Sequence, residues 1–170
     1  MTLFIYTILL LMYLLVFVFI FYTIYAIIKG APFVPTNKNN VKIMMELANP
    51  QKEETLMDLG SGDGRIVYLA AKTGCNCIGI EINPLLYWWS KTKTKLKCLN
   101  NVKIIRQDLW KTDLSDINIL TLFFIAPKMD RLHKKIINEM KPGSRVVSYG
   151  FKFPNWQYTE KRDKIYLYKI

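Results

Sequence analysis

Three carboxylates and a glycine-rich turn are the parts of this sequence that can do chemistry together. The stretch DLGSGDGRIV, Asp58 to Val67, places Gly60, Gly62 and Gly64 directly after a short apolar run. Glycine has no Cβ and tolerates positive φ, so such packing suits a backbone that must pass very close to a ligand. Asp58 closes the apolar run and Asp63 lies inside the turn, each offering a carboxylate to a cation or an amine. Glu81 follows in IGIEIN and Asp108 in RQDLW. An acid at the end of the second strand can take both hydroxyls of a ribose, and one at the end of the third can accept from an exocyclic adenine amine. Three successive strand ends therefore carry an acid, in a chain with only 13 Asp and Glu against 24 Lys and Arg. A nucleoside bearing a positive charge satisfies all three.

These residues need a scaffold that brings strand ends side by side. TLMDL (55–59), NCIGIEI (76–82), VKIIRQDL (102–109), NILTLFFIA (118–126), SRVVSYGF (144–151) and KIYLYKI (164–170) read as strands. Helical patterns run over VKIMMELAN after the start signal Thr36-Asn37, over 65–74 with Gly74 as C-cap, over 84–100 with Pro84 in the first turn, and over 127–140. Strands joined by helical crossovers form a parallel sheet covered on both faces. The expected class is α/β, a Rossmann-like doubly wound sheet, mostly parallel, with a short antiparallel C-terminal strand. In such sheets ligands bind beyond the carboxyl ends of the strands, at the first strand-to-helix turn. A dinucleotide fold of the G-x-G-x-x-G kind fits less well, because two acids in the turn would repel a pyrophosphate and the third glycine falls one position early.

The motifs DLGSGDGR, GIEIN and QDL, in that order and spacing, resemble the S-adenosyl-L-methionine site of class I (seven-strand) methyltransferases. PFVPT (32–36) ahead of the first strand, with VVSYGF on the fifth, is similar to a narrower group. That group holds the archaeal broad-specificity lysine methyltransferase and the membrane-anchored enzymes that modify the ATP synthase c-subunit and the adenine nucleotide translocase. The resemblance implies that Asp58, Gly60, Ser61 and Gly62 hold the methionine part of the cofactor, Glu81 the ribose and Asp108 the adenine end. Pro35 and Thr36 would close over the methionine part. Tyr149 and Asp63 are the candidate catalytic residues, with Phe151, Phe153 and Trp156 as further aromatics to enclose a lysine stem. Where enzymes of this superfamily that methylate adenine or glutamine amino groups carry Asn or Asp, then Pro-Pro-aromatic, this chain reads Ile125-Ala-Pro-Lys-Met129. That departure argues against N6-adenine methylation of DNA or RNA.

Residues Thr2 to Ile28 contain no charge, glycine or proline, long enough to cross a bilayer. We expect residues 1–29 to be a transmembrane anchor with Tyr22 and Tyr25 as interfacial residues, 30–40 a linker carrying PFVPT, and 41–170 the catalytic domain. Every Lys and Arg follows the apolar run, so the positive-inside rule puts the domain on the cytoplasmic side. So short a chain suits a prokaryotic cell membrane, with a mitochondrial inner membrane as the alternative. The net charge of +11 favours an anionic leaflet and would also suit RNA. Cys75, Cys77 and Cys98 lack paired C-x-x-C spacing and His133 is the sole histidine, so no metal site is expected, and His133 reads as a surface residue. Methylation of a small molecule or lipid, and a catalytically silent binding module, are the rival readings.

Overall fold

Short apolar runs here pair side by side into a single sheet. The computed structural model describes residues 2–29 and 31–170, so Met1 and Gly30, the first residues of the expected anchor and linker, lie outside the described residues. The strands are β1 (Thr55–Leu59), β2 (Asn76–Glu81), β3 (Val102–Arg106), β4 (Ile119–Phe123), β5 (Arg145–Tyr149), β6 (Glu160–Arg162) and β7 (Ile165–Lys169). Their order is β3-β2-β1-β4-β5-β7-β6. The first five run parallel, β7 is antiparallel to β5, and β6 is antiparallel to β7. From β1 the chain moves outward through β2 and β3, then returns to add β4 on the other side of β1. That reversal opens a crevice at the carboxyl ends of β1 and β4.

The helices are α1 (Thr2–Lys29), α2 (Lys38–Ala48), α3 (Arg65–Ala70), α4 (Pro84–Leu96) and α5 (Met129–Glu139). Asn37 caps α2 by accepting from the Asn40 N–H at 2.8 Å, and Asn83 caps α4 by accepting from Leu85 N–H at 2.9 Å. The sheet separates two apolar cores. Met44, Leu56, Val67, Ala70 and Ile119 fill the one beneath α2 and α3, and Leu120, Leu122, Leu132, Ile136 and Tyr168 the one beneath α5. Each such side chain contributes roughly 1.5–3 kcal/mol by leaving water.

Several boundaries differ from the sequence reading. The helix expected over 65–74 is α3 plus a 3-10 turn, Ala71–Thr73, before Gly74 at φ 87°. Helix α4 stops at Leu96, well short of Asn100, and Cys98 turns left-handed at φ 51°. Strand β3 ends at Arg106 rather than at Leu109, and only a 3-10 turn, Leu109–Lys111, joins it toward β4. The short strand β6, EKR, has no counterpart among the expected strands; it is exposed throughout, and a charged edge strand lacks the apolar alternation that marks strands while discouraging edge-to-edge pairing.

Candidate active site

The glycine turn is held by backbone before any ligand is considered. Gly60 and Ser61 N–H both donate to Ile80 O at 2.9 Å, tying the loop after β1 to the end of β2. Gly60 has φ +81° and a Cβ there would point into open space, whereas Gly62 has φ +55° and a Cβ there would strike the Phe33 ring. The first glycine leaves a space and the second carries a roof. Phe33 comes from the PFVPT segment, so that segment covers the loop.

Beneath it lies a groove in two adjoining clefts that share Pro32, Phe33, Gly60 and Phe123. One cleft is lined by Pro35, Thr36, Asp58, Ser61, Asp63 and Arg65. The other is lined by Glu81, Asn83, Gln107, Asp108 and Leu109, with Thr23 and Ala26 of α1. The second cleft spans about 640 Å³ with its open mouth included, a normal size for a small-molecule site. Phe33 and the last turns of α1 narrow it. Lys128 holds those turns in place by donating to Ile27 O at 2.7 Å and Ile28 O at 2.6 Å.

The acids sit where burial makes their charge costly. Asp58 is 2% exposed and faces the neighbouring strand, where Thr121 Oγ1 donates to its Oδ1 at 2.8 Å. Burial pushes its pKa up to about 7, Thr121 opposing and the charges of Glu81 and Asp63 adding. Glu81 is also raised by burial, partly countered by backbone N–H groups: Gly62 donates to Oε2 and Asn83 to Oε1, each at 2.8 Å. Two neighbouring buried carboxylates favour a cationic guest. Ser61 Oγ is buried without a hydrogen-bond partner among the described residues, a further polar atom a ligand can satisfy. The donor and acceptor set therefore fits an adenosine sulfonium with its amino-acid tail.

Of the expected site residues, Pro35, Thr36, Asp58, Gly60, Ser61, Glu81 and Asp108 line the groove, and Gly62 lies under its roof. Asp108 does not end β3; it caps the following 3-10 turn, its Oδ1 accepting from Trp110 N–H at 3.0 Å. Asp63 is bound by Arg65 through two contacts of 2.9 and 2.8 Å. Burial would raise its pKa, yet the hydrogen bonds and charge of Arg65 win and hold it below the usual carboxylate range. Arg65 also donates to Thr36 O, so the pair latches PFVPT to the loop. Tyr149 ends β5 one ring behind the groove wall, 4.9 Å from Phe123. Phe153 and Trp156 are not at the rim: they pack on Tyr168 at 5.1 and 4.6 Å in the α5-side core. His133 is half-buried there, stacked on Trp156 at 4.8 Å, rather than standing on the surface. Sequence reasoning misses Thr121, Phe33, Arg65 and the α1 residues. A lone polar residue within the apolar run ILTLF is the one signal for Thr121.

Known proteins share this arrangement. The ANTKMT methyltransferase domain matches residues 58–160. The ATP synthase c-subunit lysine N-methyltransferase of Rattus norvegicus is 35% identical over 126 residues, covering 74% of this chain and 58% of that protein. A protein-lysine N-methyltransferase of Saccharolobus islandicus (strain REY15A) is 31% identical over 132 residues, 76% of this chain and 82% of its own. The chain spans about half the length of the vertebrate ATP synthase c-subunit enzymes it matches, 51–58% of each. Among solved structures, an RNA methyltransferase from Salinibacter ruber in complex with S-adenosyl-L-homocysteine superposes with TM-score 0.78 and 34% identity, covering 81% of this chain and 94% of that one. The chain belongs to the ANTKMT methyltransferase domain family, a class I fold whose cofactor is S-adenosyl-L-methionine.

Proposed function

We propose that this chain is a protein-lysine N-methyltransferase, anchored by α1, that modifies a membrane-associated protein on the cytoplasmic side. In this reading residues 1–29 anchor, 30–40 link and carry the lid, and 41–170 catalyse. The observation that carries it is the pair of buried acids, Asp58 and Glu81, in a groove roofed by PFVPT, in a family whose curated relatives are named for lysine methylation. The mean hydropathy of α1 is 2.9 over a window with none of its residues buried, which suits a bilayer span. Basic residues follow it from Lys29 onward, hence the cytoplasmic assignment.

S-adenosyl-L-methionine supplies a methyl group on a sulfonium. Asp58, Ser61 and Thr36 are assigned to its amino-acid end, Glu81 to the ribose and Asp108 to the adenine end. Thr121 orients Asp58, and Arg65 with Asp63 holds the lid, so Asp63 acts in positioning rather than in proton transfer. A lysine amine, with an ordinary pKa near 10.4, must arrive unprotonated. Phe123, which lines both clefts, is assigned as the aromatic wall for the lysine stem; an apolar wall there disfavours the ammonium form and positions the amine for in-line attack. Tyr149 contributes as the ring that backs Phe123.

Labelled methyl transfer into membrane proteins, abolished in Asp58→Ala and Glu81→Ala, is the expected result, with mass spectrometry locating lysines that gain methyl masses. The likeness to the Salinibacter ruber RNA methyltransferase favours RNA as a second reading. In this chain β4 runs into Phe124-Ile125-Ala126-Pro127, without an amide-proline clamp for a flipped base. Label in RNA with protein unlabelled would establish that second reading, and label in the lipid fraction would point to a lipid substrate.

A further inference from the structure

Helix α4 packs Tyr87 against the core and turns a second apolar stripe outward. Trp88, Trp89 and Leu96 are 59%, 63% and 79% exposed, while Ser90 and Thr94 are the residues it buries. A helix on a soluble domain does the reverse, hiding apolar residues and showing polar ones. At 3.6 residues per turn, Leu85, Trp88, Trp89, Thr92 and Leu96 share one stripe. Lys91 and Lys95 border it on one side, Lys93 and Lys97 on the other. The Lys91 ammonium lies 5.2 Å from the ring centroids of both Tyr87 and Trp88, so charge and aromatic surface form one patch.

We propose that this face of α4 rests on the anionic lipid leaflet that α1 enters, as a second, interfacial contact of the domain with the membrane. The inference rests on the reading of α1 as a bilayer span. A tryptophan stripe flanked by lysines matches the interface on both counts: the rings favour the headgroup boundary and the ammonium groups favour acidic headgroups. The position of α1 supplies the second argument. Thr2–Ile20 rises about 28 Å, close to the hydrocarbon thickness of a bilayer. Contact between α1 and the domain begins at the next residues: Phe21, Tyr22 and Tyr25 border one cleft with Ile82, Arg106, Gln107 and Asp108. The Arg106 guanidinium lies 5.8 Å from the Tyr22 ring centroid. The leaflet surface thus meets the domain at the carboxyl ends of β2 and β3. Helix α4 starts at Pro84, just after Ile82, and packs along β3. The first turns of α4, which carry Trp88 and Trp89, are therefore the part of the helix nearest those strand ends.

The test uses the full chain in nanodiscs containing anionic lipid, with and without lipids brominated high on the acyl chain, read by tryptophan emission. Brominated lipid should remove about half of the emission, since Trp88 and Trp89 are two of the four tryptophans and the only two on the stripe. That loss should vanish in Trp88→Phe/Trp89→Phe, which retains Trp110 and Trp156, with S-adenosyl-L-homocysteine binding unchanged. Lys91→Glu/Lys95→Glu should weaken the quenching in anionic discs. Equal quenching in wild type and the double Phe variant overturns the proposal. So does an unquenched pair that becomes shielded from acrylamide by an RNA oligonucleotide, or by more copies per disc. If the chain fails to incorporate into discs at all, the membrane reading of α1 falls; if it incorporates with both tryptophans unquenched, only the α4 proposal does.

Discussion

A buried acid that titrates near neutrality makes cofactor affinity depend on pH in a calculable way. Asp58 sits at about 7 because burial outweighs the Thr121 hydrogen bond, and a cationic guest binds only its ionised form strongly. At pH 6 about one protein in eleven has Asp58 ionised, and at pH 8 about ten in eleven, so affinity should rise about tenfold across that interval. S-adenosyl-L-homocysteine is the suitable probe, since its amino-acid tail carries the cation assigned to Asp58. Isothermal titration calorimetry in two buffers of different ionisation enthalpy should record close to one proton released per ligand at pH 6, and close to none at pH 8. Asp58→Asn should bind well below wild type at pH 6 and more than tenfold below it at pH 8, with an affinity flat in pH and no proton released. A wild-type affinity that is flat from pH 6 to 8, with no proton released at pH 6, would refute the cradle argument. The sign for the ligand-free protein is the opposite. The native state holds a proton on Asp58 that the unfolded chain has lost above about pH 4, so stability from this group declines as pH rises from about 4 to 7. Bound ligand should therefore raise the melting temperature more at pH 8 than at pH 6.

Three further perturbations separate the parts of the groove. Thr121→Val removes the hydrogen bond that favours the Asp58 carboxylate, so the affinity midpoint should move to higher pH and affinity at pH 7 should drop several-fold by calorimetry. Gly62→Ala puts a methyl group into the Phe33 ring at positive φ and should destabilise by about 1–3 kcal/mol in chemical denaturation. Adding Phe33→Ala should recover the steric part and leave the conformational part. Ala26→Leu projects into the cleft from the α1 side, so affinity for S-adenosyl-L-homocysteine should fall several-fold by calorimetry, with any loss in the melting temperature of the ligand-free chain measured alongside.

What the sequence could reveal was local. Asp58, Gly60 and Glu81 were readable because strand, turn and terminal acid lie within a few residues of each other, and the parallel order follows from alternating periodicities. Thr121 was hidden because its partnership with Asp58 depends on β1–β4 register across 63 positions. The Phe33 roof over Gly62 and the Arg65 clasp on Thr36 are likewise contacts between separate segments. Asp108 reads as a strand residue because RQDL follows VKII with no glycine or proline to mark an end, whereas its carboxylate caps a turn instead. Phe153 and Trp156 carried no sign of which side of β5 they would pack on. A chain segment after a strand end can turn to either face, and here the buried Tyr168 drew them to the α5 side, where its hydroxyl accepts from Phe153 N–H at 3.0 Å.

The groove is closed by one continuous N-terminal segment, and that has an energetic consequence. Phe33 roofs the loop, Thr36 O is clasped by Arg65, and Thr23 and Ala26 wall the adenine side, with Lys128 on the last carbonyls of α1. Phe33, Thr23 and Ala26 border the groove along its length, so movement of this segment changes how open it is. Each charge-assisted hydrogen bond that must break is worth roughly 1.5–3 kcal/mol, so opening costs a few kcal/mol, while a bound cation returns stability by neutralising Asp58. The same segment leads directly into α1. On the proposed reading of α1 as a bilayer span, anything that tilts or shifts it displaces a wall of the proposed cofactor cleft. Cofactor affinity measured in detergent should accordingly differ from that in a bilayer of matching thickness, the tighter binding belonging to the environment that keeps Ala26 against the cleft.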